Sequence, residues 1–138
     1  MRYLGIDLGT VRVGVALSDE TGFLAQGLEV IPVRDEAQLL ERVRHLCRTY
    51  AVERVVVGLP RNMDGSRGPA AERAERFAAL VAEATGLPVT LWDERLTTAA
   101  AERNMVSADL SRKRRRQIID RAAATLILQS FLDAQGAR

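Results

Sequence analysis

A chain of 138 residues, 47% of them hydrophobic, is the size of one domain, 1–138, and can bury about two thirds of its unfolded surface without disulfides or structural zinc. Its one cysteine, Cys47, excludes an internal bridge. No Cys/His cluster has zinc-site spacing, no stretch reaches the roughly 20 apolar residues of a membrane span, and the N-terminus lacks signal-peptide character, so a cytoplasmic, membrane-free protein is expected. The 20 Lys and Arg against 18 Asp and Glu leave a net charge of only +2, so the placement of charge says more than its total.

Tyr3 to Thr10 is an apolar run carrying one acid. Leu4, Ile6 and Leu8 fall on one face of a strand, Tyr3, Gly5 and Asp7 on the other. In a strand covered on both faces, Asp7 is buried near the strand's end, where an unpaired charge is costly and a metal ion or a basic group would remove the cost. A solvated Asp-x-Gly turn is the other reading of the same residues. Val11, Val13, Val15 and Leu17 then alternate with Arg12, Gly14, Ala16 and Ser18, the period of a strand with one buried face. The Gly9-Thr10 link is too short for a parallel crossover, which makes the pair an antiparallel hairpin. A third strand is expected from about Gly27 to Val33.

Asp35 caps a helix with Leu39, Val43 and Leu46 at helical spacing beside Leu40 and Cys47. Arg54 to Leu59 reads as a fully buried strand ended by Pro60. After a polar loop, Arg61 to Gly68, Pro69 suits the first position of a helix that stops at Gly86. Pro88 to Trp92 is a fifth strand running into Asp93-Glu94-Arg95-Leu96-Thr97-Thr98. Thr97 or Thr98 can cap a helix over Ala99 to Met105; Ser107 to Ser111 breaks the pattern, the segment around the following basic residues reads as loose, and a long final helix reaches Ala134. The order β-β-β-α-β-α-β-α-α predicts an α/β fold with a mixed five-stranded sheet flanked by helices, and it resembles the ribonuclease H-like architecture.

Asp120 lies on the final helix among Ile119, Ala123, Ala124, Ile127, Leu128 and Phe131, on the apolar, core-facing stripe. Capping a neighbouring segment or pairing with an Arg would account for it. Together with Asp7 at one strand end and Asp93 or Glu94 at another, it gives three carboxylates that can converge at one edge of the sheet. Converging carboxylates repel unless cations lie between them, and hard oxygen ligands suit Mg²⁺ or Mn²⁺. Two such ions about 3.5–4 Å apart stabilise both the attacking and the leaving oxygen of phosphodiester cleavage. Thr90, Trp92 and Glu94 share one strand face, which favours Glu94 over Asp93 as a ligand; Asp93 is the alternative ligand and equally a helix cap.

Gly5-Ile6-Asp7-Leu8-Gly9-Thr10, Val57-Gly58-Leu59-Pro60 with Asn62-Met63-Asp64-Gly65-Ser66, Asp93 to Thr98, and Asp120 to Ala124 with Ile127-Leu128 resemble the YqgF family, in that family's order and across almost the whole chain. Its members are bacterial ribonuclease H-like proteins related to the junction resolvase RuvC, described as Holliday junction resolvases and as nucleases for the 5′ end of pre-16S rRNA. The resemblance implies a divalent-metal-dependent nuclease acting on structured RNA or branched DNA, with Asp7, Glu94 and Asp120 as the metal-binding, catalytic acids. Asp7 would bridge two ions and the other two acids would complete their shells.

The loop from Arg61 to Gly68 is by spacing either an ordinary turn or a phosphate cradle; the resemblance favours binding, through Arg61, Asn62, Ser66 and Arg67, with Arg95 nearby. Arg112, Lys113, Arg114, Arg115 and Arg116 form a basic run suited to phosphates or to solvent, and it would set affinity rather than sequence preference. The few, scattered aromatics give no stacking platform for single strands. His45 reads as a surface residue and Cys47 as a small core residue. Two rival readings are an actin/Hsp70-like ATP-binding module, which shares the first motif, and a nucleic-acid-binding protein that does not cut. A homodimer is the arrangement that symmetric junction cutting would require.

Overall fold

The structure, a computed structural model, describes residues 1–62, 64–97 and 112–136, with 112–121 described by the backbone alone. The elements are β1 (Tyr3–Leu8), β2 (Arg12–Ser18), β3 (Ala25–Pro32), α1 (Glu36–Thr49), β4 (Arg54–Leu59), α2 (Pro69–Thr85), β5 (Val89–Asp93), a 3-10 turn (Glu94–Leu96) and α3 (Arg112–Gly136). They build one mixed sheet in the order β3-β2-β1-β4-β5. β1 pairs antiparallel with β2, where Asp7 faces Gly14, and parallel with β4; β4 pairs parallel with β5. Strands joined by three to six residues are antiparallel, and those reached through a helix are parallel, as chain length requires.

The caps read from the sequence form. Asp35 accepts a hydrogen bond from the Ala37 N–H, Pro69 opens α2, and Gly86 closes it in the left-handed region at φ 71°. On one face of the sheet, Leu4, Ile6, Val13, Val15, Val55 and Val57 pack with Leu39, Val43 and Leu46 of α1 and Phe77 and Val81 of α2. On the other, Ala124, Ile127, Leu128, Phe131 and Leu132 of α3 pack on Ala16 and Val56. β2 therefore departs from its one-sided reading: Arg12 is half-buried and every residue from Val13 to Ser18 is buried, because a helix about a hundred residues later covers its second face.

Two glycines set how closely α3 lies. A Cβ on Gly5 would sit 2.7 Å from Leu128 Cβ, and one on Gly58 2.8 Å from Ile127 Cδ1, so any side chain there would lift the helix or displace its residues. Phe131 makes edge-on ring contacts with Tyr3, centroids 5.7 Å apart, and with Trp92, 5.5 Å apart. Trp92 Nε1 donates to Ser130 Oγ at 3.0 Å, tying β5 to the helix.

The expected helix over Ala99 to Met105 and its cap at Thr98 lie outside the described residues. Thr97, the other candidate cap, closes the 3-10 turn: its N–H and its hydroxyl both donate to the Glu94 carbonyl. Arg112 to Arg116 have helical backbone at the start of α3 rather than forming a loose segment. Among the described residues, no helix is long and apolar enough to cross a membrane.

Candidate active site

β1 and β4 are neighbouring parallel strands whose chains leave in opposite directions, β1 into β2 on one side and β4 into α2 on the other. Such a divergence opens a crevice beyond the carboxyl ends of the strands. A cavity of about 730 Å³ lies there, and its lining includes Asp7, Thr10, Arg12, Pro60, Arg73 and Glu94. Asp7 is only 8% exposed. It occupies the α3 side of β1, two residues beyond Gly5, as strand alternation requires.

The two acids after Trp92 divide as their alternation predicts. Trp92 turns to α3, and Glu94 continues on that side: a Cβ on Gly58 would come within 3.2 Å of its Cγ and 3.3 Å of its Cδ. Asp93 turns away. Its carboxylate accepts from the Arg95 N–H at 2.9 Å and from Arg95 Nη2 at 2.8 Å, with Arg61 Nη1 3.6 Å away. The Arg95 side-chain hydrogen bond, helped by the Arg95 N–H and the nearby guanidinium charges, holds this carboxyl below the usual carboxylate range. Asp93 is thus the cap of the 3-10 turn and an anchor for two arginines, while Glu94 faces the cavity.

The loop after β4 is braced largely by its own side chains. Asn62 Nδ2 donates to Ser66 Oγ at 2.9 Å, the Ser66 N–H and hydroxyl both donate to Asp64 Oδ1, and Gly65 N–H donates to the Asn62 carbonyl at 2.8 Å. Arg67 Nε donates to Glu75 Oε1 at 2.8 Å. The candidate phosphate contacts Arg61, Asn62, Ser66, Arg67 and Arg95 are therefore engaged with protein groups, and none of them lines the cavity. The side chains of Asp120 and of Arg112, Lys113, Arg114, Arg115 and Arg116 lie outside the described residues. Sequence reasoning passed over Arg12 and Arg73 as site residues. The signal for Arg73 was its position four residues after Pro69, one helical turn from the start of α2 and on the same face.

Over residues 1–134 the chain matches the family described as RuvX: Holliday junction resolvase. The chain belongs to that family. Full-length relatives include a protein of Pelotomaculum thermopropionicum, 59% identical over 99% of this chain and 89% of its own length, and one of Geobacillus thermodenitrificans, 55% identical over 98% and 99%; both are named "Putative pre-16S rRNA nuclease". Among solved structures, Thermus thermophilus RuvC in complex with a Holliday junction substrate superposes with TM-score 0.62 at 18% identity, covering 99% of this chain and 96% of that one. Fowlpox virus resolvase in complex with junction DNA gives 0.59 at 11% identity, covering 98% and 99%. The fold is ribonuclease H-like, and the RuvX family member described here is a nuclease, as the YqgF resemblance implied.

The resemblance to the YqgF family implies a divalent metal. The donor set in the cavity fits one: Asp7 and Glu94 offer carboxylate oxygens, the ligand type of Mg²⁺ and Mn²⁺, with no thiolate or imidazole among the lining residues. Among the described residues, no group of three or more His, Cys, Asp or Glu converges.

Proposed function

We propose that this chain hydrolyses phosphodiester bonds in structured nucleic acid at the cavity between β1 and β4, with Asp7, Glu94 and Asp120 holding Mg²⁺ or Mn²⁺. The observation that carries the reading is that Asp7 and Glu94, 87 positions apart in sequence, line one cavity. Asp120 is supported as the third acid by helix register. Tyr3 meets Phe131, and Gly5 meets Leu128 and Ala124, so β1 and α3 run in opposite directions, and two strand residues on lies Asp7, against the helix turn one step earlier. When bound, the metal supplies an activated water and stabilises the charge of the leaving oxygen. The chain's own part is to hold the carboxylates in place: burial restricts Asp7, and the tie of Trp92 to Ser130 fixes the strand end that carries Glu94.

Pre-16S rRNA is the favoured substrate, supported by relatives at 55 to 59% identity whose names specify it, and its 5′ end is the position that the YqgF resemblance implies. Four-way DNA junctions are the second reading, supported by the family's description. Symmetric cutting of a junction calls for a two-fold dimer, whereas RNA trimming does not. The test is cleavage of end-labelled four-way junctions and of precursor rRNA in parallel, with Mg²⁺ or Mn²⁺, by wild type and Asp7→Asn. The expected result is that Asp7→Asn binds but does not cleave, and that the substrate cut by wild type decides between the readings. Binding with no cleavage of either substrate by wild type would leave a non-catalytic binding protein.

A further inference from the structure

We propose that Arg73 of α2 is the residue that grips the scissile phosphate, a role that rests on the nuclease reading above. Arg73 lines the same cavity as Asp7 and Glu94 and is half-buried. Among the described residues its side chain makes no hydrogen bond or ion pair, although two carboxylates line the same space. The neighbouring arginines differ: Arg61 and Arg95 are held by Asp93, and Arg67 by Glu75. A partly desolvated guanidinium without an anion is an expensive arrangement unless an anion arrives with the substrate.

A phosphodiester is that anion. Its two non-bridging oxygens match the planar guanidinium fork, which a lysine cannot reproduce. In hydrolysis an oxygen–phosphorus bond forms from water, the bond to the 3′ oxygen breaks, and the proton lost by water ends on that oxygen. Charge grows on the non-bridging oxygens meanwhile, and a fixed cation in the same cavity as the acids stabilises it. Arg73 also offsets the repulsion between an incoming phosphate and the two carboxylates.

The test compares Arg73→Ala and Arg73→Lys with Arg76→Ala, an exposed arginine elsewhere on α2. Single-turnover cleavage is measured on the substrate that wild type cuts, and affinity is measured separately in an Asp7→Asn background. Arg73→Ala is expected to slow cleavage about 100-fold, as for loss of one preorganised donor. Its affinity should weaken by less than about fivefold, because most binding comes from other phosphate contacts. Arg73→Lys should recover only part of the rate, added guanidinium should accelerate Arg73→Ala but not wild type, and Arg76→Ala should stay within about twofold of wild type. Wild-type rates for Arg73→Ala would overturn the proposal alone. So would a loss that guanidinium does not rescue and that accompanies a lowered melting temperature, since that marks a structural role. A wild type that cuts neither substrate would overturn the nuclease reading and this proposal with it.

Discussion

Replacing Gly58 by alanine separates two things the structure puts in one place, the seat of α3 and the aim of Glu94. The new Cβ would lie 2.8 Å from Ile127 Cδ1 and 3.2 and 3.3 Å from Glu94 Cγ and Cδ. Ordinary carbon contacts fall at about 3.5–4.0 Å, so the helix contact is short by about 1 Å and the Glu94 contact by a few tenths. Ile127 is fully buried, so in a close-packed interior its Cδ1 yields only by displacing neighbours. Overpacking of this kind costs about 1–3 kcal/mol. Restricting the unfolded chain returns about 0.4–1 kcal/mol. The net loss of about 1–2 kcal/mol corresponds, for a chain of 138 residues, to a melting temperature lower by about 3–8 °C. Glu94 must move by a fraction of an ångström, and since about 1 Å of misplacement can cost 100-fold, cleavage should fall about tenfold. Adding Ile127→Val removes Cδ1 and relieves only the helix contact. The double variant should therefore melt near Ile127→Val alone while still cleaving slowly. Calorimetry and single-turnover cleavage read the two effects. A double variant that regains full cleavage would refute the reasoning, because it would mean that Glu94 does not lie over Gly58.

Asp93→Asn should leave cleavage within about tenfold of wild type, whereas Glu94→Gln should abolish it, because Asp93 anchors arginines and Glu94 faces the cavity. Arg95 depresses the Asp93 carboxyl, so its stabilising contribution is present above the unfolded value of about pH 4 and is lost as pH falls through the lower folded value. Melting temperatures of wild type and Asp93→Asn should then differ most near neutrality and converge in acid; a gap that persists at low pH would contradict this. Burial pushes the Cys47 thiol up to about 11, so the native protein should resist iodoacetamide at about pH 8 while the urea-unfolded chain reacts. Equal rates would show that Cys47 is accessible in the folded state.

Where the sequence was legible, the signal was local and periodic. Alternation put Asp7 on the face of Tyr3 and Gly5 and separated Glu94 from Asp93, and Asp35, Pro69 and Gly86 marked helix ends by their own backbone chemistry. What stayed hidden depends on partners distant in sequence. The second buried face of β2 is made by α3, which no pattern within β2 can announce. Arg73 stands among Glu72, Glu75 and Arg76 and reads as part of a solvated helix face. Only the packing of α2 beside the ends of β1 and β4 turns that one charge toward the cavity. Arg61, Arg67 and Arg95 looked free for phosphate because their acidic partners are recognised only once the chain has folded.

The two faces of the sheet should also differ in how sequence can drift across them. The face under α1 and α2 is cushioned by aliphatic side chains that can exchange volume among themselves, so substitutions there are absorbed by repacking. On the site's face, Gly5 and Gly58 bring α3 close to the strands, and the spacing between helix and sheet is set by the contacts of Leu128 and Ile127 over those two glycines. Mutational tolerance should be high beneath α1 and α2 and low along the line from Tyr3 to Asp7. The protein can vary its stability beneath α1 with little effect on the geometry of its chemistry, whereas the start of α2, which brings Arg73 to the cavity, is tied to it.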